Sequence, residues 1–294
     1  MKKVFLIHIL FIFAINMIGC SEKYDYTIKP TEYGGTSLGL WHENSDRYQQ
    51  IHTIKKEGIY YPKITLINHL STKQKYRLFF FLDYKQINVK KNGEDLSYID
   101  IILNQNEKEV FNINIPELNE GLHDFLVISI RSPEYHLDND KMIPEDQFFM
   151  YRRAALLVGD SSIVPKVSYT KIKTKPTDLQ YIQPLLTNAM PLIDFKQIIS
   201  ILESKTRDIN INININMMNE SNEVSIIVLN SNGQLFKDDP LFYTMPSGQA
   251  TIPIELNDEH LIKDSNLYVI SVNNPYKLTT IENSVHSSNL ITIK

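Results

Sequence analysis

Hydrophobic and polar residues along this chain fall mostly into period two. The clearest case is Arg207 to Met218, RDININININMM, where isoleucine and asparagine alternate without a break from Ile209 to Asn216. That period puts every isoleucine on one face and every asparagine on the other. It predicts a half-buried antiparallel strand, apolar side inward, with the asparagine face solvated or lining a groove. Left as a bare edge, the same pattern favours cross-β stacking. A partner strand is therefore expected, most simply EVSIIVLN (Glu223–Asn230), which follows the turn-like NESN. Six further segments carry strand signals: Ile59–Asn68, Tyr76–Asp83, Tyr98–Leu103, Glu109–Ile115, Asp124–Ile130 and Phe148–Gly159. Each is short, rich in β-branched or aromatic residues, and bounded by Asn, Gly, Pro or Ser. Asn92-Gly93, within KNGED, predicts a tight hairpin. Phe195–Ser204 has apolar spacing that suits either a short helix or a strand.

The second half echoes the first. RLFFFLDYKQ (Arg77–Gln86) aligns with SIIVLNSNGQ (Ser225–Gln234) at an offset of 148 residues. FLVISIRSP (Phe125–Pro133) aligns with LYVISVNNP (Leu267–Pro275) at an offset of 142. Between these blocks, VFNINIPEL (Val110–Leu118) matches ATIPIEL (Ala250–Leu256). Three blocks in one order predict an internal duplication. The expected fold is all-β, with two tandem sandwiches, residues 48–170 and 187–294, joined by a proline-containing linker, 171–186. Their strand spacing resembles that of immunoglobulin-like modules, although no Cys–Trp–Cys signature accompanies it.

The N-terminus reads differently. Lys2 and Lys3 precede an apolar run, Val4–Ile18, of 15 residues. A membrane-spanning helix needs roughly 20, so this run has the proportions of a secretory signal. It ends in Met17-Ile18-Gly19-Cys20, which resembles the lipobox of bacterial lipoproteins, with Met17 where that family usually has leucine. The resemblance implies cleavage after Gly19 and a diacylglycerol thioether on Cys20. Residues 1–19 are then the signal peptide, and residues 20–47, polar and without clear periodicity, a tether. Each buried acyl CH₂ contributes ~0.8 kcal/mol, so the implied location is the extracytoplasmic face of a cell membrane.

Composition narrows the partners. Cys20 is the only cysteine, so no intrachain disulfide can form. Net charge is −4, and becomes −6 once Lys2 and Lys3 leave with the signal. No basic stripe of the kind that binds nucleic acid accompanies it. The eight histidines show no zinc-site spacing, no phosphate loop appears, and no cofactor is implied.

Four features carry candidate chemistry. Gly159-Asp160-Ser161, after an apolar strand, resembles the nucleophile block of GDS-type hydrolases, making Ser161 a nucleophile candidate. No base is indicated: Asn257–His260 has the wrong spacing for that family's Asp-x-x-His. Strand-end turn residues that bond the local backbone have the same composition. Asp138, Asn139, Asp140, Glu145 and Asp146 offer oxygens for calcium, without the glycine and distal glutamate of an EF-hand loop. A solvated acidic loop has the same composition. Arg152-Arg153, beside aromatics, suits an anionic polymer, or one solvated and one paired arginine. Trp41, the sole tryptophan, is either a first core residue or an exposed contact. The reading is a non-enzymatic lipoprotein that binds or scaffolds an envelope protein or cell-wall polymer. The alternative is an envelope hydrolase, or an enzyme accessory, using Ser161.

Overall fold

The computed structural model describes residues 35–294, apart from 44, 46, 48, 56–58, 116–117, 160–162, 189–191, 215–222, 237, 239 and 278–284. Its regular structure is almost all strand. The first half holds β1 (Thr36–Trp41), β2 (Ile51–Ile54), β3 (Lys63–Asn68), β4 (Gln74–Leu82), β5 (Lys85–Gln86) and β6 (Val89–Lys91). β7 (Glu94–Leu96), β8 (Ile99–Leu103), β9 (Lys108–Asn112), β10 (Gly121–Arg131) and β11 (Phe149–Val158) complete it. The second half holds β12 (Thr170–Lys171), β13 (Thr174–Lys175), β14 (Leu185–Thr187), β15 (Ile201–Leu202), β16 (Asp208–Asn214) and β17 (Glu223–Asn230). It continues through β18 (Gly233–Leu235), β19 (Leu241–Thr244), β20 (Gln249–Glu255), β21 (Ser265–Asn273), β22 (Val285–Ser287) and β23 (Ile291–Ile293).

These strands build two immunoglobulin-like sandwiches. In the first, sheet β1-β3-β9 faces sheet β2-β11-β10-β4-β5, with β8 also paired to β4. In the second, sheet β13-β20-β16-β14 faces sheet β12-β19-β17-β21-β23-β15, with β18 and β22 paired to β17 and β21. Each larger sheet is buried on both faces. On β4, Tyr76, Leu78 and Phe80 enter the core of the first sandwich. The alternate residues Phe79 and Phe81 enter a third cluster shared between the sandwiches. β10 sends Phe125 and Val127 one way, and Leu126, Ile128 and Ile130 the other. β17 and β21 divide likewise, with Ile227, Leu229, Tyr268, Ile270 and Val272 meeting the first sandwich. The body is a four-layer stack. Continuous apolar runs such as FLVIS and LYVIS are what doubly buried strands require.

The duplicated blocks occupy equivalent places. Phe81 pairs with Gln86 as Leu229 does with Gln234. Leu126 pairs with Phe81 as Tyr268 does with Leu229. Across the seam, the Gln86 N–H donates to Gln234 Oε1 and the Gln234 N–H to Gln86 Oε1, each at 2.6 Å. Equivalent residues in reciprocal contact are the mark of a local two-fold relation. Gly233 belongs to this junction: its φ is +141°, and a Cβ there would lie 2.8 Å from Gln86 Oε1. Ser132 and Asn274, each just before its block's closing proline, share left-handed φ values of 51° and 54°.

A buried ion pair locks one end of the seam. Arg153 Nε and Nη2 donate to the Asp124 carboxylate at 2.8 and 2.6 Å. Arg153 also donates to the carbonyls of Asn273 and Asn274 at 3.0 and 2.9 Å. Asp124 accepts further from the Tyr84 hydroxyl and from the Tyr276 N–H. Burial alone would lower the Arg153 pKa, but Tyr84 and Asp124 raise it above its ordinary value. At the equivalent end, neutral Asn266 donates to the carbonyls of Pro133 and Tyr135. The loop after β10 lies along the second sandwich, with Leu137 and Ile143 in the shared cluster.

Several expectations are corrected. The tether does not run to residue 47, because β1 lies within it: Leu38 and Leu40 alternate into the core. The linker 171–186 holds the end of β12, all of β13 and the start of β14, and these strands pair with strands of the second sandwich. Phe195–Ser204, which suited either a short helix or a strand, holds a short strand and no α-helix. A 3₁₀ turn, Phe195–Gln197, capped by Asp194, leads into β15. β16 does not pair with β17. It lies between β20 and β14, while β17 sits in the other sheet of the same sandwich. The run EVSIIVLN is apolar on both faces and needs cover on both, whereas β16 has an asparagine side. That side is not solvated. Asn212 Oδ1 accepts from Gln249, Thr251 and the Leu192 N–H, and Asn214 donates to the Leu179 carbonyl. The segment carrying Tyr181, Leu185 and Leu192 forms its own small cluster there. The Asn92-Gly93 hairpin forms as expected, with both residues at positive φ.

The ion pair yields a test. Arg153→Met leaves a buried carboxylate unpaired and should cost about 3–5 kcal/mol, whereas the double change Arg153→Met with Asp124→Leu should recover most of it. Denaturant unfolding of the three proteins measures this.

Candidate functional site

A groove of about 800 Å³ runs along the outer edge of β1. β1 supplies Thr36, Leu38, Gly39 and Trp41, and the first half of β11 the opposite wall. Glu145 and Asp146, on a 3₁₀ turn (Glu145–Gln147), join Val285 and His286 of β22 in closing it. The groove therefore draws on both sandwiches.

Trp41 lies along the outer face of β1. Its Nε1–H donates to Thr65 Oγ1 on β3 at 3.2 Å. Gly39, two residues back on the same face, makes room: a Cβ there would stand 2.5 Å from the indole Nε1. The tryptophan is half-buried, a groove wall rather than a core residue.

The two adjacent arginines separate. Arg153 is consumed by Asp124. Arg152, half-buried, donates only to the carbonyl of Tyr151 at 2.9 Å, and no carboxylate among the described residues lies within ion-pair reach of it. Glu145 accepts from the Ser287 N–H and sits 3.3 Å from His286 Nδ1, tying the two sandwiches at the groove's end. Asp146 is exposed.

Close to β1, β2 carries a second polar cluster. His52 is fully buried, and both of its nitrogens are engaged. Nε2 bonds the Gln49 carbonyl at 3.1 Å, which makes it the protonated nitrogen, so Nδ1 accepts from the Tyr60 hydroxyl. The His42 ring stands 5.3 Å away, edge-on. Burial, then the neighbouring His42, pushes the His52 pKa down to about 4. With both nitrogens committed, His52 is a structural neutral imidazole.

Cys20, Asp160 and Ser161 lie outside the described residues. Asp138, Asn139 and Asp140 are exposed on the loop whose Leu137 and Ile143 are buried against the second sandwich, so the loop bridges the sandwiches rather than standing free in solvent. Among the described residues, no group of three His, Cys, Asp or Glu side chains is placed to hold a metal ion. The groove itself went unread in the sequence, although Leu38 and Leu40 alternate around Gly39 and would have marked β1.

No family model matches the chain, and no curated protein matches it. Solved structures share the sandwich architecture at low identity. A chain of the human seminal-plasma complex of Zinc 2-glycoprotein and prolactin inducible protein is 9% identical, at TM-score 0.30, over 44% of this chain and 98% of its own. A CARDB domain from Pyrococcus furiosus, in complex with di-metal ions, is 9% identical, at TM-score 0.27, over 45% and 97%. A PapD-like domain of human CEP192 is 13% identical, at TM-score 0.26, over 47% and 95%.

His52 gives a pH signature. Its folded pKa is depressed relative to the ordinary 6.5, so the stability it contributes is present above pH 6.5 and is lost as pH falls toward 4. The full loss is about 3 kcal/mol at 1.36 kcal/mol per pKa unit. The wild-type melting temperature should fall across that window, and His52→Gln should flatten the fall.

Proposed function

We propose that this chain is a non-catalytic, lipid-anchored binding protein of the bacterial cell envelope. Its two sandwiches are held at the extracytoplasmic membrane face by acyl chains on Cys20 and present the β1 groove to an envelope partner. The observation that carries the binding reading is the groove. It is built jointly by two locked sandwiches and offers a half-buried tryptophan and an arginine that meets no carboxylate among the described residues. Half-buried aromatic and arginine side chains are the types that dominate binding energy at interfaces. The support for the anchor is the lipobox-like Met17-Ile18-Gly19-Cys20 after a short apolar run.

The anchor is tested by fractionation. Wild-type protein expressed in a bacterial host should enter the membrane fraction, take up an alkyne-tagged fatty acid and lose about 2 kDa of signal peptide, at ~0.11 kDa per residue. Cys20→Ala should lose the fatty-acid label and the lipoprotein-specific cleavage. A Cys20→Ala protein with unchanged mobility and unchanged membrane retention would make residues 4–18 an uncleaved anchor and sink the lipid reading.

A further inference from the structure

We propose that the stretch from Ile163 to Lys175 is a contact surface for anionic phospholipid headgroups, and that it lays one side of the second sandwich against the bilayer. The proposal takes its setting from the membrane-face reading above. Residues 163–176, IVPKVSYTKIKTKP, hold four lysines and no acid. The whole chain carries −4, so its other residues together carry −8. Charge asymmetry of that kind points to a polyanionic surface. The patch is too short for the extended basic track that holds a nucleic acid.

The fold presents these lysines in a fixed arrangement. β12 pairs with β19 and β13 with β20, so the segment passes from one sheet of the second sandwich to the other. Ile172 packs against the core between them, and Thr174 Oγ1 donates to the Ser247 carbonyl at 2.8 Å. The alternate residues Lys171, Lys173 and Lys175 are exposed, as is Lys166. Glycines seat the segment at both ends. A Cβ on Gly121, at φ +136°, would stand 3.0 Å from the Ile163 carbonyl oxygen, to which the Leu122 N–H donates at 2.8 Å. A Cβ on Gly248, at φ +120°, would stand 2.7 Å from the Lys175 carbonyl oxygen. Among the described acids nearby, Asp178 follows the strip, Glu120 packs over Gly159, and Glu223 is bridged by Lys277 at 3.1 Å.

Lysines also blunt sheet edges against pairing with other chains. That role calls for no exposed apolar neighbours, yet Ile163 and Val164, at the head of the strip, are 65% and 53% exposed. Basic and apolar side chains together suit a phospholipid surface, where lysines meet the phosphates and apolar groups enter the headgroup boundary. A soluble polyanion has no place for the apolar pair. The 15 residue steps from Cys20 to Gly35 span roughly 50 Å at most, which keeps an anchored body within reach of the bilayer.

The test uses the mature chain, residues 20–294, with Cys20→Ser so that no acyl chain contributes. Co-sedimentation is measured with phosphatidylcholine vesicles and with vesicles that also contain phosphatidylglycerol, and soluble polyphosphate is tested alongside. The protein should bind only the phosphatidylglycerol vesicles, and added salt should release it. A lysine near an anionic surface strengthens binding about fivefold. Changing Lys171, Lys173 and Lys175 together to glutamine should therefore weaken binding about a hundredfold, and changing them to arginine should preserve it. Ile163→Ser with Val164→Ser should weaken it several-fold and leave the salt dependence unchanged. No binding to the anionic vesicles, equal binding to both vesicle types, or undiminished binding by the glutamine variant overturns the proposal. So does tight binding of polyphosphate without binding of vesicles, which would make the strip a polymer site. Should the glutamine variant aggregate, the wild type's preference between the two vesicle types and the arginine variant still decide the matter. Because the lipid is absent throughout, failure here leaves the Cys20 anchor standing, and loss of the anchor in the fractionation leaves this outcome unchanged.

Discussion

A sheet buried on both faces must be covered by a layer on each side, and this chain contains two such sheets. Phe79, Phe81, Leu126, Ile128 and Ile130 leave one sandwich where Ile227, Leu229, Tyr268, Ile270 and Val272 leave the other. The two sets bury each other within one cluster, and burying a large apolar side chain contributes roughly 1.5–3 kcal/mol relative to leaving it exposed. Separating the sandwiches would expose all of them at once. The groove, the bridging loop with Glu145, and the Arg153 lock all inherit their positions from that shared layer.

The local two-fold relation resembles an isologous dimer written into one chain. Gln86 and Gln234 meet reciprocally, and the post-strand turns of both halves are gripped by the opposite half. The symmetry is broken where chemistry differs. One grip is an ion pair, Arg153 with Asp124, and the other is a neutral amide, Asn266. A buried pair gains little over an apolar substitute, yet one of its members left alone is costly, so it selects one docking arrangement more than it strengthens it. The outer edge of β14 is met by Ile198–Ile199, whereas β1 lies against the first half of β11 with the groove beside it, so the two halves differ at this place.

Much of the body was legible in the sequence. Six predicted strands and the Asn92-Gly93 hairpin form, because side-chain alternation and turn chemistry are local properties. The offsets of 148 and 142 residues anticipated strand registers that only the fold displays. Pairing was less legible. Sequence neighbours usually pair, but β16 and β17 belong to facing sheets, and the clue lay in the doubly apolar character of Glu223–Asn230. β1 was hidden because two leucines around a glycine, within a polar stretch, give a weak signal. For the site, Trp41 and Arg152 were visible as residue types. Their meeting depends on β1 and β11 lying side by side at the groove, and that is set by topology. Cys20 rests on the sequence alone.

Cooperativity tests the shared layer most directly. Native-state amide exchange on the full-length protein, in rising denaturant, follows β4 and β10 in the first sandwich and β17 and β21 in the second. If the four layers are one unit, the slowest amides of all four strands will converge on a single opening free energy. They will also share one denaturant dependence, matched by one transition in Trp41 fluorescence. Two separate opening free energies, with either sandwich exchanging while the other remains protected, would contradict the account.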